Sequence, residues 1–267
     1  MTAAETETAD PVLLRHRELE RIAMVALRVA RLFLECGAKV KVVHEGTGLI
    51  VRGLGVEFVG ARAGYASHEI TVSSGNNTIT RMMTVSRHGV NHRLDYALRA
   101  LCVRVSKGGM TPHMVDAAID AIAQNTPRYR PETVAVAVGI ACAAFGRLLG
   151  IDWAAFGPVL VAGMVGQYAR HLLFGRKINE YIIAAVVAFC SSGLGGAGAR
   201  GLGSHTVPLA MMASILLLVP GVPATNAQTD IMDGYPAMGS ARAVSVLMVM
   251  IFATVGVWIA QTLIGVS

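Results

Sequence analysis

Residues 218–235 read LVPGVPATNAQTDIMDGY and hold the densest set of groups able to do chemistry in this 267-residue chain. Pro220 and Pro223 each remove a backbone donor and restrict φ, with Gly221 between them, so a regular helix through both is not expected. Thr225 and Asn226 can hydrogen-bond a carboxylate or an amine, and Asp230 can bind a cation or carry a proton. At membrane depth such a break is tolerated only where it faces protein or an aqueous cavity. There it exposes backbone groups and helix ends to a solute. The plainer reading is that Pro220-Gly221 ends a span and that Asn226 and Asp230 form its interfacial exit. Gln167 and Asn179 are neutral candidates to line a path. Arg147, Arg170, Glu180 and Arg242 are candidates for gating or pairing, because charges inside a membrane protein are costly and are usually functional or paired. Three have a bland alternative: Arg147 can snorkel to the surface, and Arg170 with Glu180 can form an interfacial ion pair.

Other chemistries are poorly supplied. His44, Glu45, His68, Glu69, His88 and His92 do not fall into a metal-binding spacing, and Cys36, Cys102, Cys142 and Cys190 form neither CxxC nor Cys/His pairs. No metal and no cofactor is expected. Gly46, Gly48, Gly53 and Gly55 lack the full dinucleotide fingerprint, and no nucleophile elbow is present, so the chain does not read as an enzyme. The net charge of +6 lacks the clustered, aromatic-interleaved basic residues of a nucleic-acid binder.

Charge divides the chain. Of the 23 Lys and Arg, 17 lie in residues 1–130, as do 12 of the 17 Asp and Glu. The break falls near Pro127–Pro131. The spacing predicts an acidic, disordered stretch over 1–14 and a small cytoplasmic α+β domain over 15–130. In that domain, helices are expected at about 15–36, 40–53, 91–106 and 111–125. Short strands are expected at 56–60, 68–73 and 78–86. Residues 131–267 read as an all-α membrane bundle of five transmembrane helices, at about 132–150, 153–173, 179–199, 206–226 and 242–264. Gly-rich faces, above all GLGGAGARGLG at 193–203, suit close helix packing in lipid. Arg170, Arg176 and Lys177 crowd one joint, which the positive-inside rule makes cytoplasmic. The N-terminus is then inside the cytoplasmic (inner) membrane and the C-terminus outside.

The run Leu218, Val219, Pro220, Gly221, Pro223, Asn226, Asp230, Gly234 and Tyr235, followed by Arg242, resembles the signature of the threonine/serine exporter family. Leu34, Glu35, Gly37 and Ala38, followed by a helix containing Glu45, are similar to its amino-terminal part. The chain departs at Val42, where many relatives carry an Arg; here Lys39 and Lys41 stand nearby. The resemblance implies a secondary exporter that moves threonine and serine out across the cytoplasmic membrane, driven by the proton gradient. The chain ends after its fifth span and is similar to the split form without a second membrane domain. That form implies a second small multi-span subunit as partner, with homo-oligomerisation as a further expectation and no nucleic acid. One split pair is associated with succinate, so a dicarboxylate is the alternative substrate. A membrane-anchored sensor or interaction protein is the alternative from another class.

Overall fold

The computed structural model describes residues 16–265 apart from 87, 128 and 177, so the expected disordered stretch 1–14 lies outside the described residues. The chain forms two compact units. Among the described residues, one comprises those up to Thr126 together with Val222–Arg242, and the other those of Pro127–Gly221 with those from Ala243 onward.

In the first unit, α1 (His16–Glu35) is buried on most of its circumference, from Leu19 through Phe33 and Leu34. It ends where Gly37 takes φ 87°. A Cβ there would come within 2.6 Å of the Gly89 carbonyl oxygen. Glycine is therefore required twice over at this turn, by its backbone angle and by space. The chain then enters α2 (Val40–Gly53). A three-stranded antiparallel meander follows, of β1 (Glu57–Ala63), β2 (Ser67–Ser74) and β3 (Asn77–Thr84), with a bulge between Phe58 and Gly60. The period of two along β2 sends His68, Ile70 and Val72 into the core. Asn91 caps α3 (His92–Ser106), accepting from the Leu94 N–H. Thr111 caps α4 (Pro112–Asn125) in the same way, accepting from the Met114 N–H.

The second unit is all-helical: α5 (Pro131–Leu149), α6 (Trp153–Gly175), α7 (Glu180–Gly201), α8 (Val207–Ser214) and a single 3-10 turn at Leu216–Leu218. Glycines set its packing distances. A Cβ on Gly139 would lie 2.6 Å from the Leu160 carbonyl oxygen, and one on Gly195 would lie 2.0 Å from the Ser214 hydroxyl. The backbone breaks at Val219–Pro220 and resumes as α9 (Gly221–Met232). After Gly234, at φ 88°, it continues as α10 (Pro236–Ile264). The Gly234 N–H donates to Ile231 and the Tyr235 N–H to Asp230, which is the bond pattern of a helix closed by a left-handed glycine.

Among the described residues, three helices are long and apolar enough to cross a membrane: Pro131–Leu149, Glu180–Gly201 and Pro236–Ile264. The count becomes four if Val207–Leu218 and Gly221–Met232 make one broken span. Trp153–Gly175, one of the five expected spans, is a continuous helix outside that set. Pro158 and the polar Gln167, Tyr168 and Arg170 dilute its apolar character. The fourth expected span, 206–226, is interrupted at Pro220, and Asn226 lies within α9 rather than at the end of a span. The fifth expected span begins six residues early, because Pro236 fits the first turn of α10. What stands is a helical bundle with a small β-containing region and several candidate spans.

Candidate functional site

Asn226 and Asp230 are four residues apart on α9 and share one face. Both are buried, and Asp230 is fully so. They meet the turn between α1 and α2, nearly 190 positions earlier in the chain. The Asn226 amide donates to the Gly37 carbonyl at 2.7 Å. Asp230 Oδ1 accepts the Val40 N–H at 2.9 Å, the first helical N–H of α2. No side-chain cap comes from Lys39, which precedes that helix, so Asp230 supplies one from a distant element. The negative carboxylate also suits the positive end of the α2 dipole.

Arg242, in the second turn of α10, completes the cluster. One guanidinium nitrogen donates to Asp230 Oδ2 at 2.5 Å and the other to the Ala38 carbonyl at 2.8 Å. Both side chains of this ion pair are almost wholly enclosed, at 0% exposure for Asp230 and 5% for Arg242. A buried pair is stable only when hydrogen bonds satisfy the remaining charge, as the turn does here. The side of α10 facing α9 is kept thin by Gly239, whose Cβ would lie 2.8 Å from the Ala227 carbonyl oxygen.

One turn beyond Val40 on α2, His44 packs beside His68 with ring centroids 5.8 Å apart. Tyr235, from the turn between α9 and α10, stands edge-on to His44 at 5.0 Å. His68 is fully buried, and neither of its ring nitrogens has a hydrogen-bond partner. Burial, and then the neighbouring His44, push its pKa down to about 4; burial lowers that of His44 as well.

The other sequence candidates lie apart from this cluster or serve local structure. Thr225 is exposed, and its hydroxyl donates to the Val222 carbonyl. Pro220 and Gly221 mark the break, and Pro223 sits in the first turn of α9. Gln167 is half-buried in α6. Asn179 caps α7, accepting from the Tyr181 N–H. Arg147 donates to the Ile151 carbonyl and lies over the Trp153 ring. Arg170 donates to the Leu217 carbonyl and lies over Phe174, while Glu180 stands exposed in the first turn of α7. Of the twelve candidates, the structure gathers Asn226, Asp230 and Arg242. Sequence reasoning missed the backbone of Gly37, Ala38 and Val40 as their partner. It also set the two histidines aside for lack of metal spacing.

The family profile described as "Putative threonine/serine exporter" matches residues 24–264. The chain is 26% identical over 249 residues to the "Probable succinate transporter subunit YjjP" of Klebsiella aerogenes, covering 93% of this chain and 96% of that protein. It is 27% identical over 248 residues to the protein of the same name in Escherichia coli (strain K12), covering 89% and 95%. No solved structure matches the chain. With nearly its whole length matched and several long apolar helices in place, the chain belongs to the threonine/serine exporter family and is a secondary membrane transporter, not an enzyme.

Proposed function

We propose that this chain is one subunit of a secondary exporter in the cytoplasmic membrane for a small carboxylate-bearing solute, with a succinate-like dicarboxylate as its first substrate class. The observation that carries the reading is the Asp230 carboxylate, held by Arg242 and the first N–H of α2 beside the broken helix. A guanidinium and a helix N-terminus are what a solute carboxylate needs. Asp230 therefore occupies the place of a solute carboxylate and closes the cluster in its absence. An arriving carboxylate competes for Arg242, and release of Asp230 frees α9 from the turn at Gly37–Val40. Asn226 and Asp230 take the roles of latch residues, and Arg242 that of the anion-binding residue. The break at Pro220–Gly221 is the hinge. The succinate class is favoured by the names of the two relatives, which align along most of their length. Threonine or serine is the second reading, favoured by the description of the family. A second small multi-span subunit completes the exporter in this proposal, since both relatives are named as subunits.

Everted membrane vesicles carrying the chain, with and without the candidate second subunit, provide the test. Labelled succinate, threonine and serine are offered under an imposed proton gradient. Succinate accumulation that needs both proteins and falls at least tenfold in Arg242→Gln supports the proposal. Accumulation of threonine or serine alone moves the substrate to the second reading. No accumulation of any of the three by a folded pair sinks the exporter assignment in favour of a membrane-anchored sensor.

A further inference from the structure

His68 stands where the alternation of β2 calls for an apolar side chain, in line with Ile70 and Val72. Its cross-strand neighbours are Ala63 on β1 and Met83 on β3, and neither offers it a side-chain hydrogen bond. A neutral imidazole has one donor and one acceptor. Both are enclosed here without a partner, as is Nε2 of His44. Buried polar groups are normally satisfied, and an exception in a packed core calls for an explanation. Packing alone does not supply one, because an apolar residue would fill the site at less cost. Nor does a metal ion, since among the described residues no third His, Cys, Asp or Glu joins the two rings.

The surroundings of the pair supply the explanation. Tyr235 covers His44, and its backbone N–H donates to the Asp230 carbonyl at 2.7 Å. The carboxylate of the same Asp230 caps α2 one turn before His44. The elements that hold the Asp230–Arg242 cluster closed are thus the elements that keep the imidazoles dry. We propose that His44 and His68 form the proton-binding site of the transport cycle, loaded when the α9–α10 turn carries Tyr235 away from them. The proposal rests on the transporter reading above and extends it from the carboxylate to the coupling proton. In the opened state each ring takes a proton from water. A charged ring does not return to an apolar core, so reclosure requires the proton to leave first.

Among the described residues, the rings packed on the pair are each other and Tyr235 from the turn, and His68 is paired across the sheet with Ala63 and Met83. The charge that acts on His68 is that of His44. The direction of the pH effect follows. A histidine whose pKa is lowered by closure favours the closed state above the ordinary imidazole pKa, about 6.5. That preference is lost progressively as pH falls from there to about 4.

Hydrogen–deuterium exchange of the full chain in lipid nanodiscs, corrected for intrinsic rates, reads this directly at residues 38–46 and 66–70. Between pH 7.5 and 4.5, opening of the wild-type chain is expected to rise roughly 70-fold from His68 alone, for a pKa of 6.5 open and about 4 closed. His68→Phe and His68→Gln, one apolar and one polar but neither titrating, are both expected to cut that rise sharply, leaving only what His44 contributes. Asp230→Asn is expected to raise exchange at every pH and to keep the slope. A flat wild-type response overturns the proposal. So does a slope that survives both His68 variants and vanishes in Asp230→Asn, which would put the proton on the carboxylate. Exchange is read without any transported solute. A pH response in a chain that moves no solute would therefore sink the transport reading alone, whereas transport with flat exchange would sink the imidazole site alone.

Discussion

Asp230 and Arg242 are twelve residues apart in sequence, yet each also binds backbone atoms of a turn near residue 38. Truncating Arg242 to alanine leaves a fully buried carboxylate with one remaining donor, a loss of about 3–5 kcal/mol for a buried pair. The thiol of Cys36 reports on it. Cys36 is buried beside the turn, donates to the Phe33 carbonyl, and has its pKa pushed up to about 12, by burial first and the charge of Asp95 second. Arg242→Ala is expected to speed Cys36 labelling a hundredfold or more, read by mass spectrometry of its peptide. The double variant Asp230→Leu with Arg242→Met removes both charges, so it is expected to restore part of the protection, short of wild type because the Val40 N–H and the Ala38 carbonyl lose their partners. Transport should stay lost in it. Protection that fails to return would mean that the turn depends on the charges themselves and not on filled volume.

Glycines govern the helices of the second unit, but not all of them do so. Gly139 faces the Leu160 carbonyl and Met164, whereas Gly157 on α6 has nothing within 4 Å of its missing Cβ. Gly139→Ala is expected to force α5 and α6 apart and to destabilise the unit by about 1–3 kcal/mol. Gly157→Ala should be neutral or slightly stabilising, because alanine favours a helix interior. Thermal unfolding in detergent, followed by the fluorescence of Trp153 and Trp258, separates the two; equal shifts would contradict the packing account. The same level explains what the sequence disclosed. Helix Val40–Gly53 and strands Ser67–Ser74 and Asn77–Thr84 were legible from apolar spacing and from the turn at Gly75-Asn76. Helix α9 was not legible. Its buried face is Asn226, Ala227 and Asp230, so apolar periodicity passes over it, and its partner turn lies far away along the chain. Asn226, Asp230 and Arg242 were legible as candidates, but the geometry joining them was not. His68 was discounted because the histidines lack a metal-binding spacing, although the alternation of His68, Ile70 and Val72 already put it on the apolar face of β2.

For the whole molecule, the number of crossings fixes on which side each joint lies. Val207–Leu218 holds twelve residues, about 18 Å as helix, against a hydrocarbon core of about 30 Å. It cannot cross alone. Trp153–Gly175, at 23 residues, has the length to cross but ends among Arg170, His171 and Arg176. Those charges favour the cytoplasmic side for the joint that follows it, and that placement requires α6 to cross. The expectation is five crossings. Single cysteines at Gly175 and His205, both exposed, test it in a cysteine-free background with a membrane-impermeant thiol reagent on intact cells. His205→Cys should label from outside, and Gly175→Cys only after permeabilisation. Labelling of Gly175→Cys from outside would mean that α6 does not cross and that the arginines face away from the cytoplasm. A reporter fused after residue 267 then decides the broken pair. Placed outside, it gives an odd count, with Val207–Met232 crossing as one bent span. Placed inside while the two cysteines behave as expected, it makes that pair a re-entrant loop that returns to the side it came from. Asp230 would then lie outside, apart from the cytoplasmic turn at Gly37–Val40 that it binds, and both the closed cluster and the hinge at Pro220 would be overturned.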